Sequence, residues 1–387
     1  MAAPTEFGPP WHASTLPSEA PLVPLPEHEL ALLERAIRLG RRGWGRVHPN
    51  PMVGCVLVRD GEILAEGWHR EFGGPHAEVD ALERVRGCPG GATAFVSLEP
   101  CRHHGRTAAC TEELARAGVA RVVYGVADPH PAAGGGGDVL RAAGVRVEGP
   151  VWPEAAGRRE NPVFFHAGLQ PFVAIKLALS LDGKIARVPG GPTRLTGPEA
   201  TVAVHQLRAG FDAVLVGART VHADDPRLTV REGGIEPRVP PARMVVDPDG
   251  SVTGERSLFR EPAGRVLVFV ASGVDEAVLD RLEGAGADVH RVPRRDRRLA
   301  LGPVLETAAR VGIRSILCEG GGRLANSFLA ERRADRLYLF YSPIALGPDA
   351  VPGFPGPFPR AIWEQWRLAF PPARLGEDVL CVYDREA

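Results

Sequence analysis

Several features are scarce in this sequence, and each scarcity excludes a class of protein. The 387 residues carry a formal net charge of −1, so a general affinity for nucleic acid or anionic membranes is not expected. No apolar run is long enough to cross a membrane, and the N-terminus lacks a secretory signal, so we expect a soluble, cytoplasmic protein. The six cysteines are scattered, which favours a metal or catalytic use over a disulfide framework.

Lysine is almost absent from the chain. The 46 lysine and arginine residues include only two lysines, Lys176 and Lys184. Arginine cannot lose its proton in a protein, whereas lysine can. A lysine that persists in an arginine-rich chain therefore indicates chemistry that arginine cannot perform.

The length and the alternation of apolar patterns predict two α/β domains. Residues 1–25 are rich in proline, serine and alanine, which is typical of a disordered tail. Residues 26–168 alternate between helix-like spacing and strand-like apolar runs. The alternation resumes near Phe172, so residues 169–387 form the second predicted domain, with the boundary region around 152–170.

Turn signals divide these runs into elements. Asp60-Gly61 predicts a tight hairpin after the strand at 53–58, and a helix is predicted from Thr111 to Ala117. In the second domain, the run FVAIKLALS (172–180) predicts a strand.

The stretch PHAEV marks the start of a predicted helix. Pro75 suits a helix start, and Val79 and Leu82 recur at helical spacing. His76 and Glu78 then lie at the beginning of that helix, where their side chains can converge on one ligand. A helix N-terminus also favours a negative group, so a capping Glu78 beside a solvated His76 is the alternative.

Two cysteines complete a donor set suited to zinc. Cys101 and Cys110 lie in the stretch EPCRHHGRTAAC, which follows a predicted strand. Catalytic zinc takes three protein ligands and keeps a fourth position for water, and His76 with the two cysteines supplies three suitable donors. Glu78 then remains as a group that can move protons. Zinc deaminases use this arrangement to replace an amine on a ring carbon.

A structural zinc site is the alternative interpretation. Such a site closes with a fourth protein ligand, and His103 or His104 is available for that role. A pair of buried cysteines without metal is a further alternative. Eight residues separate Cys101 from Cys110, whereas the zinc-deaminase signature has two.

Four motifs together resemble one enzyme family. HPNPMVGCVLV, PHAE, EPCRHHGRTAAC and DPHP are similar to the deaminase half of the bifunctional riboflavin-biosynthesis deaminase/reductases, in which the longer cysteine spacing is usual. The resemblance implies an N-terminal cytidine-deaminase-like, three-layer α/β/α domain that binds one zinc ion. It implies deamination of 2,5-diamino-6-(5-phosphoribosylamino)pyrimidin-4-one, bound by Asn50, His103 and Arg106. Ala108 and Ala109 replace two prolines that the family usually has.

The second domain has a glycine-rich turn but no Rossmann fingerprint. In ILCEGGGRLANSFL, a strand leads through three glycines into a helix, which is a cradle for phosphate. KLALSLDGKIA, LRAGFDAVLVGARTVHADDPRLTVR and CEGGGRLAN resemble the reductase half of the same family. That resemblance implies a C-terminal dihydrofolate-reductase-like α/β domain that binds NADPH.

The same resemblance implies the residues of the reductase site. The implied NADPH contacts are Ala178, Arg194, Thr220, Asp224, Gly321, Gly322, Arg323, Leu324, Ala325, Asn326 and Ser327. The implied contacts to the ribosyl phosphate are Arg208, Leu228, Arg231 and Glu319. Lys176 is expected near the ribose, which fits the scarcity of lysine, and Lys184 on the surface.

The implied reduction opens the ribose as an imine and adds hydride from NADPH to the former anomeric carbon. Its product is 5-amino-6-(5-phosphoribitylamino)uracil. The proton donor stays open among Lys176, Asp224 and Glu319. We expect a homo-oligomer, a dimer or a tetramer, with a small-molecule substrate and without nucleic-acid or membrane partners.

Two other functions stay open for the sequence. The first is a cytidine- or tRNA-type deaminase fused to an unrelated domain, against which the cysteine spacing and the near-neutral charge argue. The second is a non-enzymatic binding protein stabilised by zinc. That function predicts that chelation unfolds the protein and that Glu78→Gln has no effect.

One departure from the family pattern gives a testable prediction. The family typically has Ser-x-Trp before a helix, with the tryptophan against the cofactor, whereas this chain has Pro192 and Arg194. Arg194 can stack on a planar ring or reach a phosphate, and the alternative is that the replacement weakens cofactor affinity. We expect Arg194 to line the NADPH site. Arg194→Trp should change the KM for NADPH and leave the rate of ammonia release unchanged in steady-state kinetics. An unaltered KM would contradict this placement.

Overall fold

A computed structural model describes residues 9–11, 20–104, 108–166, 168–191, 193–356 and 360–386. The chain divides into two compact units, Met1–His166 and Ala167–Ala387. Each unit contains its own mixed sheet with helices packed on it, as the predicted α/β class requires. Among the described helices, none is long and apolar enough to cross a membrane.

The first unit is built on a five-stranded sheet. Its strands are β1 (Gly54–Arg59), β2 (Glu62–Trp68), β3 (Thr93–Leu98), β4 (Arg121–Val126) and β5 (Arg146–Glu148). They lie in the order β2-β1-β3-β4-β5. β1 is antiparallel to β2 and β3, whereas β3, β4 and β5 are parallel. Asp60 and Gly61 have positive φ and form the predicted tight turn between β1 and β2.

Helices cover both faces of this sheet. They are α1 (Glu27–Gly40), α2 (Ala77–Arg84), α3 (Cys110–Arg116), α4 (Gly136–Ala142) and α5 (Glu154–Glu160). Buried side chains of α1 and α5 pack in one apolar cluster, and those of α2, α3 and α4 pack in another. The predicted three-layer α/β/α arrangement is confirmed.

Two segments of the first unit for which no helix or strand was predicted pack against its core. The predicted boundary region contains α5, whose Ala156 packs in the apolar core. Trp11 lies in the tail predicted to be disordered, yet it is 1% exposed and packs edge-to-face on Trp44 at 5.3 Å. The prediction of disorder is wrong for residues 9–11, because a large indole provides apolar contact that a proline- and serine-rich tail otherwise lacks. Residues 1–8 and 12–19 of this tail lie outside the described residues.

Gly67 allows α2 to lie directly over β2. A Cβ at Gly67 would overlap the backbone of Ala77 and Ala81 on the helix. Because glycine has no Cβ, the helix approaches the strand closely, and both alanines are fully buried. This close approach fixes the N-terminal turn of α2, which carries His76 and Glu78.

The second unit is built on a nine-stranded sheet in the order β11-β10-β9-β8-β14-β6-β15-β18-β17. The strands of the unit are β6 (Phe172–Ser180), β7 (Lys184–Ala186), β8 (Ala213–Gly217), β9 (Ala242–Val246), β10 (Val266–Ala271), β11 (Ala287–Val292), β12 (Arg294–Arg295), β13 (Arg298–Leu299), β14 (Ser315–Cys318), β15 (Arg336–Ser342), β16 (Val351–Pro352), β17 (Trp366–Leu375) and β18 (Asp378–Arg385). The seven strands from β11 to β15 in this order are parallel, and β18 and β17 add an antiparallel hairpin.

Helices again pack on both faces of the sheet. They are α6 (Pro198–Ala209), α7 (Ala218–Asp224), α8 (Ser257–Arg260), α9 (Glu276–Gly284), α10 (Leu301–Arg310), α11 (Gly322–Ala330) and α12 (Arg360–Trp363). α10 and α11 contribute to one apolar cluster, and α7, α8 and α9 contribute to another. The neighbouring strands β8, β14 and β6 are parallel, so their carboxyl ends lie side by side along one edge of the sheet. Sheets of this kind bind ligands at the carboxyl ends of their strands.

A buried ion pair gives a stability prediction for the first unit. Nε and Nη2 of Arg41 donate to the carboxylate of Glu160 at 2.8 and 2.7 Å, and the two side chains are 1% and 9% exposed. Glu160→Ala should lower the free energy of unfolding by about 3–5 kcal/mol, because a buried guanidinium loses its carboxylate. Equilibrium urea unfolding measures this loss.

Glu154→Ala is the matched control. Glu154 pairs with Arg158 within the same helix, α5, but both side chains are more than half exposed to solvent. Its removal should change the free energy of unfolding by less than about 1 kcal/mol. Equal losses for the two variants would show that burial does not make the Glu160 pair important.

Candidate active sites

Three separate segments bring the predicted zinc ligands together. His76 precedes the first residue of α2, Cys101 follows β3, and Cys110 is the first residue of α3. Nδ1 of His76 lies 3.2 Å from Sγ of Cys110 and 3.5 Å from Sγ of Cys101. All three donor atoms lie within 4.8 Å of one another. The fold therefore assembles the predicted donor set at one point.

The geometry of this cluster fits a zinc ion. Zinc prefers thiolate and imidazole donors, and bonds of about 2.0–2.3 Å in a tetrahedron place neighbouring donor atoms roughly 3.5–4 Å apart. The two distances from Nδ1 of His76 already lie near these separations, and both cysteines are buried. Hydrogen bonding with Cys110, aided by His76, lowers the pKa of Cys101, whereas the same hydrogen bond and burial raise the pKa of Cys110. One of the two sulfurs therefore favours the thiolate form before any metal binds.

Neither candidate for a fourth ligand joins the cluster. Nε2 of His104 lies 2.8 Å from Oε1 of Glu112, and His103 is exposed at the rim of the adjoining cavity. Across the described ranges, the cluster of one histidine and two cysteines is the group that could hold a metal. Three protein ligands are typical of catalytic zinc, whereas a structural site usually has four.

Glu78 lies in the first turn of α2, beside this cluster. It is 3% exposed, and it interacts with the side chain of Cys110. Burial, together with the negative charge of Cys101, raises the pKa of Glu78 to about 7. A carboxyl group with such a pKa takes up and releases a proton near neutral pH, as a proton-transfer group must.

Glu99 anchors the segment that carries Cys101. Its carboxylate accepts the backbone N–H of Gly137 at 2.9 Å and that of Asp128 at 3.2 Å. The backbone N–H of Thr111 also donates to the carbonyl oxygen of Cys101, at 3.2 Å. These bonds hold both cysteine-bearing segments in place before any metal binds.

A cavity of about 220 Å³ opens beside the metal ligands. Its lining includes Asn50, His69, Glu78 and His103. Nδ2 of Asn50 lies 3.1 Å from Nε2 of His69, and Nδ1 of His69 lies 2.8 Å from the carbonyl oxygen of Pro75. Because Nδ1 must donate to this carbonyl, Nε2 is the acceptor for the Asn50 amide. Burial lowers the pKa of His69 and so favours this neutral form.

Sequence reasoning missed His69. The residue follows directly on β2, and its ring packs edge-to-face on His76 at 5.4 Å. A histidine at the end of a strand, seven residues before the predicted ligand, was the available signal. Arg106, the predicted phosphate contact, lies outside the described residues and stays a prediction.

In the second unit, two predicted substrate contacts form an ion pair with each other. Nε and Nη2 of Arg208 donate to the carboxylate of Glu319 at 2.6 and 2.9 Å, and the side chains are 11% and 9% exposed. Burial opposes ionisation of Glu319, but the charge of Arg208 outweighs it and lowers the pKa of this carboxyl. The pair joins α6 to the carboxyl end of β14.

Lys176 lies in β6, close enough to Arg208 and Glu319 for their charges to affect its pKa. Burial lowers the pKa of Lys176, and the negative charge of Glu319 opposes that shift. Its Nζ lies 5.5 Å from the centre of the Phe340 ring. Lys184, by contrast, donates to the carbonyl oxygen of Pro348 from an exposed position.

The glycine-rich turn meets α7 at the ligand-binding edge of the sheet. The backbone N–H of Gly321 donates to Oγ1 of Thr220 at 3.3 Å. Gly322, Arg323 and Leu324 then begin α11, whose N-terminus suits a phosphate. This turn therefore presents a helix N-terminus, which favours an anionic group.

The later residues of the predicted cofactor segment differ in what they can contact. Ala325 is fully buried, and the hydroxyl of Ser327 donates to the carbonyl oxygen of Arg323 and accepts from Arg298. Oδ1 of Asn326 is buried without a hydrogen-bond partner in the described part of the chain. This amide lies against Gly356, where an added Cβ would overlap Oδ1.

Two arginines approach each other near this edge. Nη1 of Arg231 donates to Oγ1 of Thr229 at 2.7 Å, and Arg208 donates to the carbonyl oxygen of Thr229 at 3.0 Å. Burial and the charge of Arg208 lower the pKa of Arg231. Cations that repel each other in this way are suited to share an anion such as a phosphate.

The remaining predicted site residues of the second unit lie in β6, in α7 and in two loops. Leu228 is 2% exposed and has a φ of 57°, an uncommon value for leucine. Asp224 ends α7, and burial raises its pKa. Ala178 lies in β6, and Arg194 is exposed in the loop between β7 and α6. Pro192 is not among the described residues.

Two protein families match separate parts of the chain. Residues 26–126 match the cytidine and deoxycytidylate deaminase zinc-binding region. Residues 171–369 match the RibD C-terminal domain. The zinc-ligand cluster falls in the first match, and the glycine-rich turn falls in the second.

Relatives cover almost the whole chain. Riboflavin biosynthesis protein RibD of Actinobacillus pleuropneumoniae is 36% identical over 361 residues, which are 92% of this chain and 95% of that protein. RibD of Escherichia coli K12 is 36% identical over 335 residues, 82% of this chain and 88% of that protein.

Solved structures extend the likeness to the fold. Acinetobacter baumannii RibD is 31% identical with a TM-score of 0.78, covering 93% of this chain and 99% of that one. The diaminohydroxyphosphoribosylaminopyrimidine deaminase/5-amino-6-(5-phosphoribosylamino)uracil reductase of Thermotoga maritima is 33% identical with a TM-score of 0.76, covering 93% of this chain and 100% of that one.

The metal cluster predicts how zinc content responds to substitution. Cys110→Ser should reduce bound zinc from about one ion per chain to well under half, because a hydroxyl is a poorer zinc donor than a thiolate. A colorimetric zinc assay after dialysis measures this. Cys88→Ser is the control, because Cys88 is an exposed free thiol outside the cluster. Equal zinc in both variants would contradict the ligand assignment.

Proposed function

Since this chain belongs to the family of bifunctional riboflavin-biosynthesis deaminase/reductases, we propose that its two units act in succession on one phosphorylated pyrimidine. The chain is a zinc-dependent deaminase and an NADPH-dependent reductase of riboflavin biosynthesis. The resemblance predicted from the sequence motifs is confirmed. The alternative of an unrelated second domain is excluded by the match over 171–369.

For the deaminase, we propose that His76, Cys101 and Cys110 hold the zinc ion. Zinc bound there lowers the pKa of water and supplies the nucleophile. Glu78 takes a first proton from the water and delivers it to the pyrimidine ring nitrogen. It then takes the remaining proton from the hydroxyl group added to the ring carbon and delivers it to the amino group, which departs as ammonia.

We propose that the Asn50–His69 pair orients the pyrimidine in the cavity. The neutral His69 ring accepts from the Asn50 amide nitrogen, which fixes the orientation of that amide. Oδ1 of Asn50 is then presented as an acceptor for an N–H or amino group of the substrate. His103 at the rim, and Arg106, are proposed to contact the ribosyl phosphate outside the cavity.

For the reductase, we propose that the glycine-rich turn at Gly321 and Thr220 hold the diphosphate of NADPH. The bound cofactor supplies the hydride. Asp224, Ala178 and Arg194 are proposed to complete the cofactor site. Arg231, with Leu228, is proposed to contact the ribosyl phosphate. Arg208 is proposed to share that phosphate while it holds Glu319.

We propose Lys176 as the proton donor of the reduction. Glu319 is held as an anion by Arg208, so it is poorly suited to donate a proton. Lys176 lies in β6 near this pair, and burial lowers its pKa toward the range of an effective acid. The choice also explains why one of the chain's two lysines lies at this position.

We further propose domain boundaries at 26–168 and 169–387, cytoplasmic location and assembly as a homo-oligomer. The compact units and the two matched regions support the boundaries. The location and the assembly are inferred by analogy with the family.

A single coupled assay tests the proposed sequence of reactions. Purified protein is mixed with the diaminopyrimidine ribosyl phosphate and NADPH, and ammonia and NADPH oxidation are followed together. Both signals should appear, and a zinc chelator should stop both, because the reductase depends on the deaminated product. NADPH oxidation that continues without ammonia release would contradict the order of the two steps.

Glu78→Gln separates an enzyme from a zinc-stabilised binding protein. The amide cannot accept the proton from water, so ammonia release should fall by at least about 10²-fold. Bound zinc should stay near one ion per chain, because Glu78 is not a ligand in the proposed site. NADPH oxidation should be restored by supplying the deaminated intermediate. Unchanged ammonia release would sink the assignment of Glu78.

A further inference from the structure

His205 lies in α6, one helical turn before Arg208, and it is 3% exposed. Its Nδ1 lies 3.1 Å from the backbone nitrogen of Arg231. Because the backbone nitrogen carries a proton, Nδ1 must be the acceptor, and the ring proton is on Nε2. The imidazole therefore holds the main chain of a residue proposed to bind substrate.

The ring can keep this role only in its neutral form. The charged groups around it are Arg208 on α6, Arg231 and Glu232 on the following segment, and Glu319 after β14. Burial, reinforced by the two arginines, lowers the pKa of His205 to about 4 against the opposing carboxylates. Nδ1 therefore stays an acceptor at neutral pH.

Helix α6 makes hydrogen bonds to the backbone of the segment 228–231 at two residues, Thr229 and Arg231. Arg208 donates to the carbonyl oxygen of Thr229 at 3.0 Å, and His205 accepts from the backbone of Arg231. The segment begins at Leu228 in the left-handed region, where a leucine persists only if neighbouring contacts hold it. The hydrogen bonds from Arg208 and His205 on α6 are such contacts. The second bond is made by the backbone of Arg231 itself, so it fixes the point from which the Arg231 side chain extends.

We propose that His205 is a positioning residue of the reductase site, which fixes the main chain of Arg231 so that its guanidinium meets the phosphate of the substrate. This inference rests on the proposed function, in which Arg231 binds that phosphate. His205 acts through Arg231 and is not itself a catalytic residue.

Two substitutions test whether the accepted hydrogen bond is what matters. His205→Leu removes the acceptor of the part-buried hydrogen bond from the Arg231 backbone, so this main chain is no longer held and the KM for the ribosyl phosphate should rise roughly tenfold or more. His205→Asn keeps an acceptor, because Oδ1 of asparagine can take the place of Nδ1, so it should stay within about threefold of the wild type. kcat and the KM for NADPH should change less than twofold in both variants.

The chain supplies its own controls. Ammonia release by the first unit should be unchanged in both variants, which reports the folding of the first unit and the quality of the substrate. His290→Leu removes another partly buried imidazole of the second unit, on β11, and should leave the KM for the ribosyl phosphate unchanged. Thermal unfolding midpoints of all variants are compared with that of the wild type.

Calorimetric binding of ribose 5-phosphate separates this inference from the proposed function. If the wild type binds this probe and His205→Leu binds it at least about tenfold more weakly than His205→Asn, the positioning role is supported even where NADPH oxidation fails. Equal KM values and equal binding for the leucine and asparagine variants would overturn it. A loss of kcat in proportion to a lowered unfolding midpoint, without a change in KM or binding, would also overturn it.

Discussion

The first unit depends on one geometric requirement, which is that the three proposed zinc donors, from separate segments, lie close enough to bind one ion. The N-terminal turn of α2 supplies His76, and Gly67 lets this helix lie close on β2. Glu99 clamps the segment after β3 that carries Cys101. With three protein ligands rather than four, and with Glu78 buried beside them, the same geometry leaves space for a water and a group to deprotonate it.

In the second unit, the buried pair of Arg208 and Glu319 has the corresponding organising role. The pair connects α6 to the end of β14, and Arg208 also reaches the segment that carries Arg231. A buried ion pair of this kind is a costly way to stabilise a fold, because both charges lose their water. The pair lies at the edge of the sheet where ligands bind, and the proposed function gives it a reason. Arg208 and Arg231 both face an anionic substrate in that proposal, and the carboxylate of Glu319 reduces the repulsion between them.

Much of the fold and of the deaminase site could be predicted because local signals carried them. The strand FVAIKLALS coincides with β6, and the Asp60-Gly61 turn joins β1 to β2 as expected. The zinc ligands follow from residue types and from their places at the ends of predicted elements. Trp11 and α5 could not be predicted in this way, because the burial of an indole or a short helix depends on a surface that distant residues form.

The sequence by itself determined the chemistry available to this protein: one histidine and two cysteines suited to zinc, a glutamate proposed to move protons beside them, the glycine-rich turn and the rarity of lysine. These are properties of residue types and short spacings. Only the tertiary structure decided which groups share an environment. It placed His69 against Asn50, tied Arg208 to Glu319, and set His205 under the backbone of Arg231. Asn50 and His69 are 19 positions apart in the chain, and Arg208 and Glu319 are 111 positions apart. Such hydrogen bonds leave no local sequence pattern, because their geometry exists only once the sheet and its helices have packed.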